Sequence, residues 1–332
     1  MTKISTRKSV QLLMVAAAFL LIFTAGAANL FAGGASEDGT SSSRLNMGGG
    51  WVTGAYYPIA GSMSRVVHLH LDGVSLTVES SGASAVNSNL IKSGDLDMAI
   101  VQNDVGSYAY NGRNAWDGDP VTNMRGLFSL YPEPVQLIAR EDSGISNPGD
   151  LEGKRVALGP LGSGAEVNAL QILEAAGLTE DDLAAAERLD AGEAADFLRD
   201  GRIDAAFFTV AIGGAVIADL AVSQDIIIVP ISGEFADRLM EIEDFYASVT
   251  IPGDTYSGVP EAETVGVVSI VVAREDLSED IVYDFMSTIF ENINIVQSAH
   301  SSAKWITLES ALDGMSVPLH PGAERFFAEN GM

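Results

Sequence analysis

Cysteine is missing from all 332 residues. Disulfides, thiolate nucleophiles, iron–sulfur clusters and cysteine-based zinc sites are therefore excluded, and so is a lipid anchor on an N-terminal cysteine. Positive charge is also scarce. Eighteen Lys and Arg face 45 Asp and Glu, a formal charge of −27. Such a surface repels nucleic acid, whose phosphates are held by Lys and Arg. Only four histidines are present, too few to scatter metal or acid–base sites widely. Apolar residues, by contrast, make up 47% of the chain, which is enough to build a core and argues against disorder.

The only long apolar run is at the N-terminus. Lys3, Arg7 and Lys8 precede an apolar stretch from Leu12 to Phe23, and Ala25-Gly26-Ala27 follows as an A-x-A cleavage site. This is the pattern of a Sec signal peptide over residues 1–27, too short to span a bilayer comfortably. A cut after Ala27 removes three basic residues and no acidic one, taking the formal charge from −27 to −30 and leaving 305 of the 332 residues. Residues 28–43 are Gly/Ser-rich and polar and read as a flexible leader. The protein is expected outside the cytoplasm, in the periplasm, and not as a lipoprotein.

In the mature chain short β-branched runs alternate with helical patterns. Ser75–Val78, Met98–Val101, Val135–Ile138, Arg155–Leu158, Ala205–Phe208 and Ile226–Val229 read as strands, and Ala85–Lys92, Glu166–Ala176 and Gly192–Asp200 as helices. That alternation implies βαβ units and mainly parallel sheets. Lys92–Ala99 and Arg199–Ala206 echo one another, each with a glycine ending a helix before a polar turn and a strand. One copy in each half suits two lobes.

Three glycine- and hydroxyl-rich loops follow strands or open helices: Gly48–Pro58, Glu79–Ser84 and Gly159–Glu166. A helix N-terminus offers unpaired N–H groups and a positive dipole end, and glycines let the backbone approach a ligand. In open α/β sheets ligands sit at these carboxyl ends of strands. The third loop lacks the Lys-Ser/Thr of a P-loop and the G-x-G-x-x-G spacing, and G-x-S-x-G occurs nowhere. His68 and His70, two apart on a helix, face different ways and do not make a metal pair. His320 reads as a structural hydrogen-bonding group, and Asp95 and Asp97 as a solvated turn. No catalytic constellation, metal site or cofactor site is read.

Several stretches together resemble one family. They are Thr53–Pro58, Ser93–Asp104, Leu130–Leu137, Asp150–Val156, Gly162–Ala169, Ile172–Leu178, Ile251–Tyr256 and Leu319–Glu324. From about Leu45 to its end the chain resembles the TAXI family, the extracytoplasmic solute-binding subunits of tripartite ATP-independent periplasmic (TRAP) transporters. The resemblance implies an α/β, two-lobe type II periplasmic-binding-protein fold with hinge strands. Lobe one would comprise residues 44–139 and 266–332, and lobe two 140–265, with hinge crossings at Gln136–Arg140 and Val267–Ala273. It further implies a cleft lined by Thr53, Gly54, Tyr56 and Tyr57, by Ser81, Gly82, Ala83, Ser84 and Asn87, and by Gln102 and Asp104. Across the cleft would lie Ser163, Gly164, Ala165, Glu166, Asn168 and Tyr256. Glutamate, glutamine and dicarboxylates such as 2-oxoglutarate are the solutes the family is associated with.

The chain departs from the family pattern where Trp51, Val52 and Ala165 replace small or hydroxylated residues. The stretch Phe208–Gly214 also lacks the usual small-Gly-x-Pro pattern. These walls are bulkier and less polar. The function implied is a monomeric receptor, not an enzyme, that binds a small-molecule solute and docks on a TRAP permease with fused small and large membrane subunits. A periplasmic ligand sensor for a membrane histidine kinase or chemoreceptor is the alternative on the same fold, and an enzyme on that scaffold would need a reactive group in the cleft.

Overall fold

The computed structural model describes residues 43–243 and 245–332. The expected export segment and all of the leader but Ser43 lie outside the described residues. Strands β1 (Ser43–Gly48), β2 (Val74–Glu79) and β3 (Met98–Gln102) run parallel with β1 in the middle. Helices α1 (Tyr56–His70) and α2 (Ser84–Ser93) are the crossovers, and α3 (Asn103–Asn111) starts directly off β3. Helix α1 buries Ile59, Ala60, Met63, Val66 and Val67, a stripe with helical spacing. Its last turn carries His68 and His70, both exposed.

The 17-residue strand β4 (Met124–Arg140) then leaves this region. Beyond it come β5 (Arg155–Ala157), α4 (Gly164–Ala175), β6 (Ala185–Glu187), α5 (Ala191–Arg199), β7 (Ala205–Thr209), α6 (Ala215–Ser223), β8 (Ile226–Val229), α7 (Glu234–Ile242) and β9 (Ala247–Ile251). Strand β10 (Ala262–Arg274) returns, and α8 (Glu279–Glu291), α9 (Ile293–Gln297) and α10 (Pro321–Glu329) close the chain. His320 caps α10, its Nδ1 accepting from the Gly322 N–H at 3.2 Å. Five of the six anticipated runs lie within strands, and the sixth, Arg155–Leu158, overruns β5 by Leu158. The strands whose sequence gave no such signal include β6, whose three residues are all half-buried, and β9, which is largely exposed.

Two sheets share β4. In the first the order is β2-β1-β3-β10-β4, with β10 antiparallel to both neighbours. In the second, β4 pairs antiparallel with β7 and β8, and β5 lies parallel to both β6 and β7. The partner changes between Pro134, opposite Gly266 of β10, and Val135, opposite Thr209 of β7. The crossing therefore lies upstream of the expected Gln136–Arg140, which is wholly inside the second sheet, while Val267–Ala273 is wholly inside the first. Pro132 and Pro134, which have no N–H to give a ladder, sit where the pairing changes hands. Gly266 packs tightly opposite them: a Cβ there would stand 3.2 Å from Pro134 Cα and 3.3 Å from the Glu133 carbonyl.

Strand side chains alternate between two apolar layers on each sheet. Met98 and Ile100 of β3 join one cluster and Ala99 and Val101 the other. On the second sheet Leu137, Val156 and Phe207 face one layer, and Ile138, Ala157 and Phe208 the other. Burial on both faces explains why these strands read as continuous apolar runs. The result is an α/β molecule of two lobes joined by crossing strands, the type II periplasmic-binding-protein fold that the resemblance implies. No helix among the described residues is long and apolar enough to cross a membrane.

Candidate functional site

The loops leaving β1, β2, β3, β5 and β7 meet where the two lobes face each other. They line a cavity of about 50 Å³. Trp51, Gly54, Ala55, Tyr56, Ala83, Ser84, Gln102, Tyr131 and Glu133 wall it from the first lobe, and Gly164, Ala165 and Thr209–Ala211 from the second. Neither Arg, Lys nor His is among the lining residues. Ala83 holds a left-handed backbone, φ +66°, without being glycine. That conformation is costly for a side chain bearing a Cβ and persists where surrounding contacts impose it. Here the Ser81 hydroxyl imposes it, accepting from the Ala83 and Gly50 N–H groups.

The polar groups of this cavity are deeply buried. The Tyr56 hydroxyl donates to Glu133 Oε2 at 2.7 Å. Burial pushes the Glu133 carboxyl up to about 8, the Tyr56 bond opposing that rise and the Asp104 charge adding to it. Tyr131 and Gln102 also lie close enough to favour the ionised form. The Tyr131 hydroxyl and, separately, the acceptor Gln102 Oε1 have no hydrogen-bond partner among the described residues. A buried polar atom without a partner costs free energy until something fills the bond. The wall thus includes a buried acid, an amide and two phenols, Glu133, Gln102, Tyr56 and Tyr131.

Below the cavity the lobes are bonded directly. Asn168 of α4 donates from Nδ2 to Asp104 Oδ2 at 2.8 Å and to the Tyr246 hydroxyl at 2.7 Å, and accepts from Thr209 Oγ1 on its own Oδ1. Tyr246 donates to Gln171 Oε1, and Gln171 Nε2 donates to the Tyr108 hydroxyl. Burial raises Asp104 to about 7, against bonds from the Val105 backbone and Asn168. At the rim the Gly162 carbonyl accepts from the Ala85 N–H at 3.2 Å, joining the two loops. Gly164 packs so closely on Gln102 that a Cβ would lie 1.8 Å from Oε1.

Of the expected site residues, Gly54, Tyr56, Ala83, Ser84, Gln102, Gly164 and Ala165 line this cavity. Thr53 lines an adjoining one of about 110 Å³. The others shape the site from outside. Asn87 is fully buried and pins β1 to β3 through the Gly48 and Ile100 carbonyls. Ser81 holds its loop, and Gly82 clears Val86. Tyr57 packs its backbone against Gly49. Ser163 caps α4 by accepting from the Glu166 N–H, while Glu166 binds Arg188 and the Gly162 N–H. Asp104 and Asn168 belong to the network below. Tyr256 donates to Gln136 and accepts from the Gly213 N–H, fixing the β7–α6 loop.

Sequence reasoning missed Tyr131 and Glu133 as lining residues, whereas Thr209–Ala211 fall in the Phe208–Gly214 stretch it read as a wall. Glu133 did carry a signal: it is the only charged residue between Leu127 and Ala139, and a charge inside a strand buried on both faces needs a reason.

A profile of the NMT1-like family matches residues 47–331. The chain belongs to that family. This NMT1-like protein also resembles solved structures. XAC2383 from Xanthomonas citri, determined with ATP bound, is 13% identical over 87% of this chain and 95% of its own, with a TM-score of 0.51. The periplasmic aliphatic sulphonate binding protein SsuA from Escherichia coli is 12% identical over 86% of this chain and 78% of its own, with a TM-score of 0.48. At 13% identity the likeness of the NMT1-like chain to XAC2383 concerns the fold.

Proposed function

We propose that the protein is an extracytoplasmic solute receptor of the TAXI type. Exported through Sec and working as a monomer in the periplasm, it captures a small amino acid or carboxylate of glutamate-like size and delivers it to a TRAP permease with fused membrane subunits. Its lobes are residues 44–139 with 266–332, and 140–265. The reading is carried by one observation: a cavity walled by both lobes and lined by the buried Tyr56, Gln102, Tyr131 and Glu133. Contacts to both lobes make solute affinity greater in the closed form, and that difference is what drives closure. Of the two solute classes the amino acid fits the lining better, because a dicarboxylate would meet Glu133 with no basic partner. The solute is released unchanged.

The test is a thermal-unfolding screen of mature protein, unfolded and refolded to strip carried solute, against amino acids and di- and tricarboxylates. A solute at a hundred times its Kd stabilises the folded form by about 2.7 kcal/mol. A screen in which no small solute raises the transition would refute the receptor reading.

A further inference from the structure

A second cavity adjoins the central one at Trp51. Trp51, Gly54, Ala55, Val210 and Ala211 also wall the second cavity, of about 110 Å³ against about 50 Å³ for the first. Two cavities sharing five wall residues lie side by side. Their chemistry differs. The first holds Glu133, Gln102 and Tyr131, whereas the second is backed by Phe208, Val210, Val216 and Ile217, with Thr53 and His300 its polar side chains. Phe208 and Ile217 are buried. The second cavity's largely apolar lining suits a branched alkyl group or a small ring.

We infer that the solute is amphipathic, with an ammonium-bearing head against Glu133 and an apolar group in the compartment behind Trp51. The inference rests on the receptor reading above and narrows its solute class to amino acids and amines with apolar side chains. The head follows from the first compartment: the Glu133 carboxyl accepts, and Trp51, Tyr56 and Tyr131 supply aromatic surface that attracts a cation. A head without donors would meet the buried Glu133 carboxyl with nothing to give it. The tail follows from the second, where a polar side chain would be stripped of water among Phe208, Val216 and Ile217. The same replacements that distinguish this chain, Trp51 and the Phe208–Gly214 stretch, build that compartment.

The test is isothermal titration of solute-stripped mature protein with alanine, valine, leucine, isoamylamine, glutamate and 2-oxoglutarate. Each buried methylene is worth about fourfold in affinity, so leucine should bind at least about tenfold more tightly than alanine. Val216→Trp, which fills the compartment, should erase that difference while leaving alanine within about threefold of its wild-type Kd. Glu133→Gln should weaken leucine and isoamylamine by about tenfold or more. Ala215→Phe serves as the filling variant if circular dichroism shows that Val216→Trp has not folded. Tighter binding of glutamate or 2-oxoglutarate than of leucine, untouched by either filling variant, would overturn the inference and leave the receptor reading standing. Failure of every solute, polar and apolar alike, would overturn both.

Discussion

Asn168 reaches across the cleft to Asp104, its Nδ2 donating to Oδ2 at 2.8 Å, with neither residue exposed to solvent. The same amide also serves Tyr246 and Thr209, so a single side chain ties α4 to α3 and to the strand beneath. Asn168→Leu keeps the volume and removes every bond. Leaving several buried polar partners unsatisfied should cost about 1–3 kcal/mol, read as a lower midpoint in urea unfolding. An unchanged midpoint would show that the network contributes nothing net.

The two buried carboxyls give the folded protein a definite pH dependence. Asp104 is raised from 3.8 to about 7 and Glu133 from 4.5 to about 8, burial being the first cause for both. A carboxyl raised in the folded state contributes stability that is fully present below its unfolded value and is lost as pH climbs to the folded one. Solute-free protein should therefore melt at progressively lower temperature from pH 5 to about pH 8. Asp104→Asn should leave only the fall due to Glu133, and Glu133→Gln should end the fall near pH 7. A wild-type melting temperature that rises over this range would contradict both assignments.

Gly164 is the residue that lets the cleft close on Gln102. With its Cβ position 1.8 Å from Gln102 Oε1, Gly164→Ala forces a buried side chain aside or holds the lobes apart. Solute affinity should fall by about tenfold, and in the Gln102→Ala background the same change should cost far less. That non-additivity is the signature of direct contact. Additive losses would mean that the two residues act separately.

At the strand crossing, Gly266 faces Pro134 and the Glu133 carbonyl at 3.2 and 3.3 Å and Val249 Cγ2 at 3.1 Å from its Cβ position. Gly266→Val should push β10 from β4 and destabilise the protein by about 1–3 kcal/mol, the cost of overpacking. Urea unfolding measures it, and a neutral result would show that the crossing has slack.

Much of the fold is legible in the sequence because its central strands are buried on both faces. Ala205–Phe208 and Ile226–Val229 are apolar at every position, and such runs stand out wherever they fall. Strands β6 and β9 carry no such pattern, since little of either is buried, and they form because a neighbour offers a ladder. The site was half legible for a related reason. Glycine and hydroxyl loops signal themselves, so Gly54, Ser84 and Gly164 were found. Tyr131 and Glu133 reach the cavity from the middle of a strand, placed there by the crossing of β4, and no local spacing announces that. Asn168 and Tyr256 have the chemistry of ligand contacts and spend it instead on Asp104 and Gln136.

The most direct measurement is calorimetric titration of solute-stripped mature protein with small amino acids and carboxylates, paired with scattering to follow closure. Binding of one solute with one-to-one stoichiometry, a decrease in radius of gyration on saturation, and about tenfold weaker binding in Gly164→Ala are the expected results. Saturable binding without closure, or no binding by any small solute, would contradict a receptor that works by closing two lobes over its ligand.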